Sequence, residues 1–137
     1  MEPGFHGVRW IAPDKLYVSQ LYVSRTKLQA VQMWLTPSTL QTCYPLPVHD
    51  FGDGNLTLTD GHTRALVLLL LGQPCPVCYD TDRTVTGPAG KAAYRMAIGW
   101  CRAAGVHTVK DLRERILEEV QYERLWVERC KQAFDKL

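Results

Sequence analysis

The chain has 137 residues, enough for one domain with a real core. A formal net charge of +2 neither requires nor excludes a polyanionic partner. Hydrophobic residues at 46% and charged residues at 22% exclude a disordered or fibrous chain and fit a soluble globular one.

No signal peptide is visible at the N-terminus, and five cysteines (43, 75, 78, 101 and 130) make an odd number. Reduced thiols in a cytoplasmic protein are expected. The longest apolar run, Ala65 to Leu71, is far shorter than the roughly 20 residues that cross a bilayer.

Residues 1–14 read as an irregular lead-in that Trp10 and Ile11 could anchor. Leu16 to Val23 is β-branched and aromatic and predicts a strand. Ser24 or Thr26 can cap a short helix carrying Leu28, Val31 and Leu35, ended by Thr36-Pro37. Thr42 to Tyr44 connects to a second strand, Pro45 to Phe51, whose prolines suggest an edge or a strand start. Gly52-Asp53-Gly54-Asn55 predicts a hairpin turn into the alternating strand Leu56 to Thr59.

Asp60-Gly61-His62-Thr63-Arg64-Ala65 is the richest stretch. It lies where that strand hands over to a buried helix, which Gly72 stops. Free N–H groups at a helix start, with the dipole behind them, favour an anion. Asp60 can cap the helix only, or cap it and also act on a substrate. His62 is expected exposed in the first turn, Thr63 can donate to phosphate, and Arg64 can clamp phosphate or pair with Asp60 or Asp80.

A strand follows at Pro74 to Tyr79. Its Cys75 and Cys78 stand three apart and so face opposite ways, which reads as strand cysteines rather than zinc ligands or a redox pair. Asp80 to Arg83 is a polar loop, with Asp80 and Asp82 as candidate Mg²⁺ ligands beside a nucleotide. His49, Asp50 and Asp53 read as solvated turn residues.

From Pro88 the pattern reads as helix throughout. Ala92 to Ala104 is one helix, stopped by Gly105. Thr108 and Asp111 form a capping box. Leu112, Ile116 and Val120 make one apolar stripe; Tyr122, Trp126, Cys130 and Phe134 make a second. Trp100, Tyr122 and Trp126 are expected in the core, with a groove for a base or a partner as the alternative. The Gly105–Val109 turn resembles a helix-turn-helix turn, but the capping box explains it without DNA. The expected architecture is α+β: a small mixed β-sheet with helices over 1–87, and a helical C-terminal extension, 88–137, packed on it.

Leu16 to Asp82 resembles the ParB N-terminal and sulfiredoxin-like superfamily. Pro45-Leu46-Pro47-Val48, Gly61-His62-Thr63-Arg64-Ala65 and Pro74-Cys75-Pro76-Val77 carry the likeness, in order and spacing, over about half the chain. The Asp-Gly-His turn is most similar to the free serine kinase branch. The resemblance implies a nucleoside triphosphate, ATP or CTP, with its phosphates on Gly61, His62, Thr63 and Arg64, and with Mg²⁺. It implies Asp60 and His62 as catalytic residues transferring phosphate to a small hydroxyl substrate.

Gly61 precedes His62 where sulfiredoxins carry cysteine, which argues against sulfinic-acid repair. No Asp or Glu lies between Leu16 and Leu40, where serine kinases place a glutamate. Residues 91–137 hold ten Lys/Arg against seven Asp/Glu, a net +3 too mixed for a DNA-binding face. The alternative is a non-catalytic ParB-like module acting through a protein partner, a second copy of itself or DNA.

Overall fold

The computed structural model describes residues 4–137. The fold is α+β, a small mixed sheet with helices, as the sequence implies. Four strands pair in the order β1 (Val8–Ile11), β5 (Cys75–Tyr79), β3 (Leu46–His49) and β4 (Thr57–Leu58). β5 runs antiparallel to β1 and parallel to β3, and β3 runs antiparallel to β4. The predicted hairpin forms, with Gly52 and Gly54 at positive φ.

β1 falls inside the expected irregular lead-in. Its four residues are strand because β5 offers them a free edge, a long-range partner that local pattern does not show. β3 is interior rather than an edge. Pro47 has no N–H to give the sheet, and its carbonyl keeps the bond at the end of β4 by accepting the Thr59 N–H. The expected strand over Leu16 to Val23 is extended but scarcely paired. Tyr17 bridges Thr57 and Thr108, and β2 is only Val23–Ser24.

α1 (Arg25–Gln32) is capped by the Ser24 hydroxyl, which accepts from the Lys27 N–H. α2 (His62–Leu70) buries Ala65, Leu66, Val67 and Leu68. Those side chains meet Leu46, Val48 and Val77, which are fully buried on the sheet. α1 packs against α2. Cys75 is buried and Cys78 partly exposed, and all five cysteines are free thiols.

The C-terminal part is not helix throughout. α3 (Arg83–Thr86) precedes α4 (Pro88–Ala103), which ends before Gly105 at φ 73°. The Thr108–Asp111 capping box is present, but it opens a 3₁₀ turn, Val109–Glu114. The chain then forms β6 (Ile116–Leu117), parallel to β2. The Leu112/Ile116/Val120 stripe is therefore broken, and Val120 is 78% exposed. The β-branched Ile116 favours the strand once Val23 and Ser24 supply a partner, and Val120 falls beyond it in the next helix.

The second stripe is borne out. α5 (Glu119–Tyr122), a π-helical turn (Glu123–Val127) and α6 (Glu128–Phe134) follow one another directly. They bring Tyr122 and Trp126 into the core, where Trp100 meets Trp126 edge-on and stacks on Phe134. No helix among the described residues is long and apolar enough to cross a membrane.

Gly90 in α4 lets that helix approach α3. A Cβ there would overlap the Thr84 carbonyl oxygen and lie 2.8 Å from that of Val85. Gly99, in the same helix, has open space around it. Gly→Ala inside a helix normally stabilises by roughly 0.5–1 kcal/mol. Gly99→Ala should follow that rule in urea unfolding. Gly90→Ala should reverse the sign and destabilise by about 1–3 kcal/mol.

Candidate functional site

The turn before α2 is held in place by Gly61. Gly61 is the N-cap residue, in the left-handed region at φ 80°, ψ 20°. A Cβ on it would lie 2.9 Å from Leu46 Cγ and 2.9 Å from Arg64 Nη2. No side chain caps this helix, so Asp60 is not its cap, contrary to the expectation. The first helical bond runs from Ala65 N–H to Gly61 C=O. The N–H groups before Ala65 therefore have no acceptor within the helix.

Asp60 is exposed, with no ion pair or hydrogen bond among the described residues. Arg64 pairs with neither Asp60 nor Asp80. It donates to the Tyr44 carbonyl at 3.2 Å and lies beside the Cys43 thiol. That contact lays the guanidinium across the outside of Gly61 and leaves its charge without a carboxylate among the described residues.

His62 departs most from expectation: it is buried, at 4% exposure. Its Nε2 accepts the Ser19 backbone N–H at 3.0 Å, and the Ser19 hydroxyl donates to the Leu58 carbonyl. A ring nitrogen that accepts cannot carry a proton, so the proton of the neutral ring is on Nδ1. Burial pushes the His62 pKa down from 6.5 to about 4, against the smaller opposing pull of Asp60. The imidazole is uncharged at neutral pH. It can offer a ligand a hydrogen bond, not a positive charge.

Three adjoining pockets meet at Asp60. The first, about 390 Å³, lies over the start of α2, with Lys27, Thr63 and Arg64 in its wall. The second, about 350 Å³, lies between α4 and α6, walled by Ala93, Tyr94, Trp126 and Phe134. The third, about 680 Å³ and more open, is acidic, with Asp80 and Asp82 beside Asp60. The first two share Gln20, Asp60 and His62, which form a waist between them.

Three of the four carboxylate oxygens of the candidate metal ligands already accept hydrogen bonds within the protein. Asp80 Oδ2 accepts from the Thr59 hydroxyl at 2.6 Å and Oδ1 from the Asp82 N–H at 3.0 Å. Asp82 caps α3 by accepting from the Thr84 N–H, and this bonding to Thr84 holds its carboxyl below the usual range. No group of three or more His, Cys, Asp or Glu able to hold a metal ion occurs among the described residues. The donors present do not make a protein-only Mg²⁺ site, although Mg²⁺ often arrives on a nucleotide with few protein ligands.

Cys75 and Cys101 are pushed up to about 12 by burial, so neither is a thiolate near neutrality. His49 packs against Phe51 and Tyr79, with Nδ1 2.8 Å from the Asp80 carbonyl, so it is not the solvated turn residue expected. Asp50 and Asp53 do serve the turn, accepting backbone N–H groups of Gly52, Gly54 and Asn55.

Gln20, Lys27, Tyr94 and Phe134 are not among the sequence candidates for the site, and Trp126 is one only under the alternative of a groove for a base or a partner. Lys27 was legible only as a helix residue. The aromatic residues carried a core signal at helical spacing, and nothing local tells a core face from a pocket wall. No family model matches the chain, and neither the curated proteins nor the solved structures supply a match.

The His62 shift sets a pH dependence. Its folded pKa lies below the unfolded value, so acid favours the unfolded chain, which takes the proton first. Stability is complete above pH 6.5 and falls as the pH drops from 6.5 towards 4. The loss over that window is on the order of 3 kcal/mol. Urea midpoints measured across it should show this slope, and His62→Gln should flatten it. An equal slope in the variant would place the titration elsewhere.

Proposed function

We propose that this chain binds a nucleotide, with its phosphates over the first turn of α2. The observation that carries the reading is the waist at Asp60. It joins a cationic pocket floored by helix N–H groups to an aromatic one. Together they have the size and the mixed lining of a small-molecule site. Lys27 and Arg64 supply the charge, Thr63 a hydroxyl, and α2 its positive pole. His62 Nδ1–H can add a neutral donor. This assignment agrees with the ParB/sulfiredoxin-like resemblance of the motif, and changes the part His62 plays in it.

Asp60 repels phosphate and accepts from a hydroxyl. Its exposed, unpartnered carboxylate favours a second reading, in which a small hydroxyl substrate sits there and receives a phosphoryl group. Balance is simple: the substrate oxygen bonds to the terminal phosphorus, the bond to the nucleoside diphosphate breaks, and Asp60 takes the hydroxyl proton. Mg²⁺ carried in on the triphosphate would neutralise its charge. Asp80 and Asp82 remain candidate contacts to that ion, and Asp82 Oδ2 is the one of their four oxygens that accepts no hydrogen bond among the described residues.

Thermal-shift titration with ATP, ADP and CTP, each with and without Mg²⁺, tests binding. At least one should raise the melting temperature, and a flat response to all would overturn the reading. Arg64→Ala should weaken the bound nucleotide roughly tenfold, as expected for losing a charged hydrogen bond. Transfer is tested separately, with γ-labelled nucleotide and a panel of small alcohols. Turnover lost in Asp60→Asn, with affinity kept, supports phosphotransfer; no turnover in the native chain leaves a binding module.

A further inference from the structure

The second pocket has a composition unlike the rest of the groove. Its apolar walls come from α4, the π-helical turn and α6. Ala93 and Ala97 line it with small side chains, and Tyr94, Trp126 and Phe134 provide rings. Those rings are braced. Trp100 stacks on Phe134 at 5.9 Å and 9°, and meets Trp126 edge-on at 6.0 Å. Tyr94 is tied by its hydroxyl to the Thr59 carbonyl. A rigid slot of this kind suits a flat aromatic ring.

Charge decides how a nucleotide lies across the waist. The pocket bearing Asp80 and Asp82 is hostile to phosphate, and Asp60 adds a third carboxylate on that side. The pocket bearing Lys27 and Arg64 is the one matched to phosphate. The aromatic slot continues from it through Gln20, Asp60 and His62. From one pocket to the other, the order is cations and helix N–H groups, then an acid that accepts hydroxyls, then rings. A nucleotide has the same order: phosphates, a sugar diol, then a base.

A second observation points to a ligand at the waist. His62 is more than nine-tenths buried, and its ring borders both pockets. Nε2 is taken by Ser19 N–H, and Nδ1 has no partner among the described residues. Among the described residues no fully buried side-chain nitrogen or oxygen lacks a partner, so Nδ1 is open to the groove. Gln20 is set in a similar way. Its amide nitrogen donates to the Tyr22 carbonyl and the Tyr122 hydroxyl, which turns its oxygen free as an acceptor.

We infer that the aromatic slot between α4 and α6 is the nucleobase subsite, and that the sugar crosses the waist with a hydroxyl on Asp60. This rests on the nucleotide-binding reading and adds to it the direction of the ligand. It also gives the C-terminal helices a function.

The test compares inorganic tripolyphosphate with ATP and CTP by calorimetry. Tripolyphosphate should bind, and at least one nucleotide should bind about tenfold tighter or more, the scale of one stacked base. Ala93→Trp should fill the slot from its half-exposed wall and remove that difference, leaving tripolyphosphate affinity unchanged, which also shows that the variant folds. Phe134→Ala should reduce the difference from the opposite wall. If tripolyphosphate binds but neither nucleotide gains on it, or if Ala93→Trp keeps the gain, the base lies elsewhere and the inference is overturned. If neither tripolyphosphate nor a nucleotide binds, the nucleotide reading itself fails.

Discussion

One buried hydrogen bond, from the Ser19 N–H to His62 Nε2, organises the site. It ties the extended segment after Leu16 to the first turn of α2, across 43 residues of sequence. Without that acceptor, a buried N–H would go unpaired, at about 1–3 kcal/mol. The same bond fixes which ring nitrogen is protonated, and so what His62 can offer a ligand. Burial stabilises the neutral ring, and the neutral ring keeps Nε2 an acceptor. Protonation would break the bond and leave a charge in the core.

Around that bond, the Asp60–Gly61 turn has little freedom. Gly61 must be left-handed, and Leu46 Cγ stands 2.9 Å from where its Cβ would be. Arg64 is drawn sideways to Tyr44. Asp60 is thereby presented outward without a partner of its own, between a cationic and an acidic pocket. The turn is less a cluster of four cooperating polar groups than a sorting of them. His62 points inward as a neutral donor and acceptor. Arg64 lies flat as a positive wall, and Asp60 is left free.

Much of this was legible in local pattern. The hairpin at Gly52–Asn55, the buried helix after Gly61, the stop at Gly72 and the Thr108–Asp111 box are short-range signals, and each appears. What local pattern misses depends on a partner far away. β1 exists because β5 has an open edge, and β6 because β2 does. His62 was misplaced for the same reason. A histidine at the first position of a helix is ordinarily wet, and only the distant Ser19 N–H turns it inward. Asp60 before Gly looked like a cap, but Gly61 itself took the N-cap place.

The expected division near residue 88 puts the motif in one part and the C-terminal helices in another. The packing joins them. Val18 donates to the His107 carbonyl, Val109 to the Leu16 carbonyl, and β6 runs beside β2. Tyr122 and Trp126 belong to the main core, while Trp126 and Phe134 also wall the groove. A ligand lying from α2 to α6 would therefore touch both halves of the sequence. Its binding energy would add to the stability of α6, whose own residues are otherwise only partly buried or exposed. Helices that carry no motif of their own can take part in function in this way, by closing the open side of a groove whose polar end was readable from six consecutive residues.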